Sequence, residues 1–219
     1  MWDVARAWVE GWAVARGVAV PVAEPWGLRV EVGTPGQVRR HVLLDADAAT
    51  ARALVAGVTE PTTCVKGFLE QAEMGAWFPA EHWEPVESCF LMAVELRPEP
   101  VRVPDGYRVT VERAGDGSGD GTGPGGPLTA RITTVDGAPA AAGVAGPTAG
   151  GACVFDQIVT EPAHRRRGLG TVVMGALSEA AGRGGATTGV LGATVPGRAL
   201  YETLGWKVLA PLNGYAYRG

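Results

Sequence analysis

The chain is short of cysteine, of histidine and of uninterrupted apolar runs, and it carries no excess of positive charge. Each shortage excludes something. With 19 Lys and Arg against 23 Asp and Glu, the formal net charge is -4, whereas binding along a phosphate backbone needs clustered cations. A nucleic-acid partner is not expected. The cysteines Cys64, Cys89 and Cys153 are far apart, with no Cys-x-x-Cys pair and no histidine at metal-ligand spacing. They read as reduced, partly buried thiols, and no metal is expected. In the first twenty residues Asp3, Arg6, Glu10 and Arg16 break up the apolar positions, which leaves no stretch long enough for a signal segment or a membrane span. A cytoplasmic protein without membrane contact is the expectation.

What is present is enough apolar residue, 46% over 219 positions, for one large core or two lobes. Trp8, Trp12 and Ala15 recur at helical spacing beside Val4, Ala5 and Val9, so the chain opens on a helix with an aromatic stripe packed against the body. Leu28 to Val32 and Val38 to Leu44 read as strands joined through Gly33-Thr34-Pro35-Gly36, Asp45 as the cap of a following helix, and Cys89 to Leu96 as a further strand. A second short helix is expected after Pro61. Pro98, Pro100 and Pro104 cannot continue a strand or helix interior, so residues 98–105 read as a linker between an N-terminal α/β lobe, 1–97, and a C-terminal domain, 106–219. From Gly115 to Pro127 seven of thirteen residues are glycine, which predicts a loop. Strands are expected over Thr129 to Val135, Ala141 to Ala145 and Cys153 to Val159.

The strongest signal follows that last strand: Thr160-Glu161-Pro162-Ala163-His164-Arg165-Arg166-Arg167-Gly168-Leu169-Gly170-Thr171, a strand end that turns into a helix. Leu169, Val172, Val173, Ala176, Leu177 and Ala180 give the helix one apolar face, and Gly182, Gly184 and Gly185 end it. At such a start the first backbone N–H groups lack helical partners and the macrodipole favours an anion, while Gly168 and Gly170 permit close approach of a bulky ligand. Three arginines suit a pyrophosphate. The stretch has no lysine for a P-loop and carries Val173 where a dinucleotide fingerprint needs its third glycine.

The spacing Arg165-x-x-Gly168-x-Gly170 resembles the pyrophosphate loop of the GCN5-related N-acetyltransferases (GNAT), and Arg198-Ala199-Leu200-Tyr201-Glu202-Thr203-Leu204-Gly205-Trp206 resembles the family's second signature, a short helix with a tyrosine ending in Leu-Gly-aromatic. The resemblance covers roughly Tyr107 to Gly219. It implies a mixed α+β (α/β) fold: a central, mostly antiparallel, splayed sheet with flanking helices, here preceded by the smaller N-terminal lobe. It implies acetyl-CoA as co-substrate, with the main chain of Ile158, Val159 and Thr160 along the pantetheine arm and Arg165, Arg166, Arg167, Gly168, Leu169, Gly170 and Thr171 at the pyrophosphate. Thr194 stands where an asparagine is frequent.

By the same resemblance Tyr201 is the general acid for the departing thiolate, and a free N–H near Ile158 polarises the thioester carbonyl. The pattern departs at the general base: Thr187 to Thr194 contains no acid, which leaves Asp156 first, Glu161 second and ordered water third. The expected reaction is transfer of an acetyl or other short acyl group to an amine, the acceptor being a small molecule; a non-catalytic acyl-CoA sensor is the alternative, and a homodimer is compatible with either. Trp77 and Trp83 beside Glu81 and Glu84 would suit a cationic amine. Because the Gly-rich loop stands where the family usually inserts two helices, the N-terminal lobe is expected to wall the acceptor site; a degenerate acetyltransferase-like lobe or a purely structural one fits its strands and helices equally.

Overall fold

A computed structural model describes residues 2–97, 99–115 and 125–219; Pro98 of the linker and the centre of the Gly-rich stretch, 116–124, lie outside the described residues. The chain opens on helix α1 (Trp2–Arg16), followed by strands β1 (Val22–Glu24), β2 (Gly27–Thr34) and β3 (Gln37–Leu43), α2 (Ala48–Gly57), β4 (Cys64–Gly67) and α3 (Gln71–Gly75). Two strands, β5 (Trp83–Pro85) and β6 (Cys89–Glu95), precede the linker, and four follow it: β7 (Tyr107–Arg113), β8 (Leu128–Thr134), β9 (Pro139–Pro147) and β10 (Ala152–Thr160). A 3-10 turn over Pro162–His164, α4 (Leu169–Arg183), β11 (Thr188–Thr194), α5 (Val195–Thr203) and β12 (Lys207–Tyr217) complete it. The twelve strands form one sheet, in the order β1-β2-β3-β4-β12-β6-β11-β10-β9-β8-β7 with β5 beside β12. Only β3/β4 and β10/β11 are parallel pairs; every other pairing among the described residues is antiparallel.

The sheet does not respect the linker. Strand β6, which precedes it, lies between β11 and β12, and the eleven-residue β12, absent from the sequence reading, pairs with β6 over Lys207–Leu212 and with β4 over Asn213–Ala216. Each half thus lends its last strand to the other. Prolines report that a strand is locally interrupted, because they lack a donor. Which edge a distant strand then joins depends on partners that local composition does not reveal. One consequence is testable: a fragment starting at Val101 would leave β11 without its β6 partner and remove Met92 and Leu96 from the core around Phe155, Leu177 and Trp206. It is expected to show no cooperative unfolding transition by calorimetry; a sharp transition with full acetyl-CoA binding would refute this.

Helix α1 lies across the other sheet face, with Trp8 and Trp12 buried among Leu28, Val42, Leu91 and Leu212, as the aromatic stripe predicted. It sits unusually close. A Cβ on Gly146 of β9 would fall 1.9 Å from the Gly11 carbonyl oxygen, so only paired glycines permit this crossing. The close approach carries the C-terminal end of α1, Arg16, to strand β10.

One local reading is corrected, and the short helix expected after Pro61 is present but preceded by a strand that was not read. The cap of α2 is Asp47, not Asp45: an N-cap side chain must reach the N–H three residues on, and Asp47 accepts from Thr50 at 2.8 Å. After Pro61 the chain first forms β4, and the short helix α3 comes only after it, because Cys64 to Gly67 is buried residue by residue between β3 and β12. No helix among the described residues is long and apolar enough to cross a membrane.

Candidate active site

The site begins where two parallel strands part. β10 pairs with β11 from Ala152↔Thr188 to Phe155↔Leu191 and no further, although both strands continue. Beyond that point β11 stays with β6 as far as Thr194↔Cys89, while β10 stays with β9 as far as Thr160↔Ala141. A wedge opens between them. On its β10 side the register slips between Asp156 and Val159, with Gln157 at a φ of 55°, a bulge that re-aims the main chain. Main-chain groups of Gln157 to Thr160 therefore border the wedge without a β11 partner, a free strand edge of the kind an extended ligand can join.

At the end of β10 the chain turns into α4. Arg166 and Gly168 both have left-handed φ, 62° and 77°, which curls successive N–H groups into a concave nest, and Gly168 caps α4 without any side-chain bond. The first helical bond runs from Val172 to the Gly168 carbonyl (3.2 Å), so the N–H groups of Leu169, Gly170 and Thr171 have no acceptor within the helix. The buried Leu169, Val173 and Leu177 anchor the helix on the sheet, so this donor cluster is held rigidly. The arginines divide their work. Arg165 Nε donates to the Thr160 carbonyl at 3.2 Å and Arg167 to Tyr107 Oη at 2.9 Å, where Tyr107 also bonds His164, so two of them brace the loop. Arg166 is exposed and makes no hydrogen bond or ion pair to another described residue.

Tyr201 projects from α5 beside the wedge, packed near Trp206. Burial pushes its phenol above the ordinary range, and the charge of Asp156 pushes it further the same way, which places the two side chains within electrostatic reach. Asp156 is ion-paired with Arg16 of α1. Thr194 caps α5, its hydroxyl accepting from the Gly197 N–H at 3.2 Å, so that oxygen is already engaged within the protein. Glu161 is exposed beyond the end of β10.

From Asp156 and Thr194 a cavity of about 380 Å³ runs into the N-terminal half, where Trp12, Arg40, Cys64 and Lys66 line it. Its far wall was not read from the sequence. The pairing Arg40↔Cys64 and Val42↔Lys66 puts Arg40, Cys64 and Lys66 on one face of the sheet, the face that α1 covers. The Arg40 guanidinium lies over the Trp12 ring, 3.8 Å from its centroid, and donates to Gln37 Oε1 at 2.8 Å, while its Nε is buried without a partner. Trp83, by contrast, is buried in a core with Phe78 and Tyr217 and lines no part of this cavity. Among the described residues no cluster of His, Cys, Asp or Glu is placed to hold a metal.

Residues 108–206 match the family model described as Acetyltransferase (GNAT) family. This segment is a GNAT domain. Over the whole chain the fold is similar to that of a GCN5-related N-acetyltransferase from Kribbella flavida (TM-score 0.70, 19% identity, 100% of this chain and 95% of that one). It is also similar to a GCN5-related N-acetyltransferase-like protein from Streptococcus suis (TM-score 0.59, 12% identity, 99% and 97%). A tandem GNAT protein from the clavulanic acid biosynthesis pathway covers 78% of this chain and 68% of its own, at a TM-score of 0.56 and 16% identity. No curated protein matches the sequence.

The GNAT domain brings Asp156, Tyr201 and the Gly168 turn around one wedge. The N-terminal half repeats part of its plan, an antiparallel pair followed by a parallel strand–helix–strand unit, β2-β3-α2-β4 against β9-β10-α4-β11. It does not repeat the anion turn. The start of α2 is filled by the Asp47 carboxylate, a negative group where α4 leaves bare N–H donors.

Proposed function

We propose that this protein transfers an acetyl group from acetyl-CoA to the primary amine of a small molecule, by direct attack on the thioester. The observation that carries the reading is the continuity of three features: an uncapped helix start at Gly168, a strand wedge beside it, and a cavity that opens from the wedge at Asp156. The nest over Arg166 to Thr171 would hold the pyrophosphate, and the free edge of Ile158 to Thr160 the pantetheine arm. The thioester carbonyl then lies by the bulge, where a main-chain N–H stabilises the oxyanion as the amine nitrogen bonds to carbon.

Collapse of that intermediate breaks the C–S bond, and Tyr201 supplies the proton the thiolate takes. Burial and Asp156 both keep the phenol protonated, which suits a donor. Asp156 faces the cavity from β10 and would receive the acceptor's ammonium, passing its proton to ordered water. The N-terminal half contributes Trp12, Arg16, Arg40 and Lys66 to the acceptor side, so both halves build one site. Thiol release from acetyl-CoA, measured across a panel of amines, tests the reading; CoA binding without thiol release from any amine would favour a non-catalytic acyl-CoA binder.

A further inference from the structure

Three cations and two carboxylates line the cavity: Arg16, Arg40 and Lys66 against Asp156 and Glu87. Arg16 is ion-paired with Asp156 through Oδ2, and the other oxygen of that carboxylate has no hydrogen-bond partner among the described residues. Glu87 is exposed and forms no ion pair with Lys66 or Arg40, which are left without an acidic partner among the described residues. Lys66 is only 9% exposed, and the sheet makes room for it: opposite, Gly214 carries no Cβ, and one placed there would fall 2.8 Å from Lys66 Cγ. The thiols of Cys64 and Cys89 share the cavity, but burial pushes both up, so neither offers a compensating negative charge.

An unpaired buried cation is costly: burial pulls Lys66 below the ordinary lysine range, and an anion held in the cavity would restore its charge. The charges also come from different halves: Asp156 on β10, with one carboxylate oxygen bonded to Arg16, and Arg40 and Lys66 on β3 and β4. That arrangement matches a zwitterion. We propose that the acceptor is an amine carrying a carboxylate, of the amino-acid class, whose ammonium faces Asp156 and whose carboxylate is held by Arg40 and Lys66. This rests on the acyl-transfer reading above. Arg40 is fixed by its stacking on Trp12 and its bond to Gln37, so it presents a preorganised donor set, while Lys66 supplies a point charge.

The test combines turnover with stability. In thiol-release assays, amino acids are compared with their decarboxylated amines, lysine with cadaverine and tyrosine with tyramine. The parent acids are expected to be preferred by about a hundredfold in kcat/KM, and Lys66→Met to remove most of that preference by raising their KM with the KM for acetyl-CoA unchanged. Because the methionine removes a buried amine that has no ion-pair partner, Lys66→Met is also expected to raise Tm of the free protein by about 5 °C. Sodium acetate should raise the Tm of wild type above that in sodium chloride of equal ionic strength, and do so far less in Lys66→Met. Equal rates for acids and decarboxylated amines, a lowered Tm in Lys66→Met, or no acetate-specific protection would each overturn the inference. Thiol release with no carboxylate preference leaves acyl transfer standing, whereas acetate protection with no thiol release from any amine overturns acyl transfer and leaves the anion pocket.

Discussion

Tyr201→Phe is expected to lower kcat by about a hundredfold to ten-thousandfold while leaving acetyl-CoA affinity nearly unchanged, since it removes one oxygen and keeps the ring that packs near Trp206. The proton at stake is the one the departing thiolate takes. Two influences, burial first and the Asp156 charge second, raise the phenol above its ordinary value of about 10, and both disfavour the ionised form. The sign of the pH effect follows. As a proton donor Tyr201 is competent below its pKa, so any alkaline loss of rate through Tyr201 falls above pH ~10, and the phenylalanine variant should lack that limb. Steady-state kinetics over pH with a good amine acceptor checks both parts; an unchanged kcat would make Tyr201 a packing residue.

Gly170→Val is expected to weaken CoA binding by on the order of a hundredfold with the protein fully folded. The protein itself does not require this glycine. A Cβ there would meet Leu200 at 3.5 Å and Thr160 at 4.0 Å, ordinary contacts, and Gly170 lies inside a helix, where a side chain costs no more than glycine does. The bare N–H groups of Leu169, Gly170 and Thr171 border the same surface, so a branched side chain would stand where a pyrophosphate must come close. Gly168 makes a poorer test, because its φ of 77° would strain any replacement and could disturb the fold. Calorimetric titration with CoA, beside a thermal melt matched to wild type, decides; undiminished affinity would move the anion site elsewhere.

Much of the catalytic half was legible because its signals are local. The apolar face from Leu169 to Leu177, the glycines at 168 and 170, and the tyrosine helix ending in Leu204-Gly205-Trp206 each specify structure within a few residues of themselves. Thr194 was read as a cofactor-binding candidate; its hydroxyl caps α5, a bond that depends on where the helix starts rather than on residue type. The N-terminal half was read less well. β12 and β4 were both missed, because both draw their stability from partners far away in sequence. A lone lysine within the apolar run Cys64 to Phe68 was the one available sign of the cationic pocket, and alone it says nothing about what it faces.

By itself, then, the amino-acid sequence determined a strand, a glycine turn and a helix start, whose hydrogen-bonding deficits are properties of the local chain. Tertiary structure decided what surrounds them. The parting of β10 from β11 arises because each stays with a different neighbour, β9 or β6. The cavity beside Asp156 exists because paired glycines at 11 and 146 let α1 come down onto the sheet, and because the two halves exchange their final strands. Apart from the β9/β10 hairpin, those are contacts between residues about ninety or more positions apart, chosen by shape and by unpaired edges, so no local pattern could have announced them.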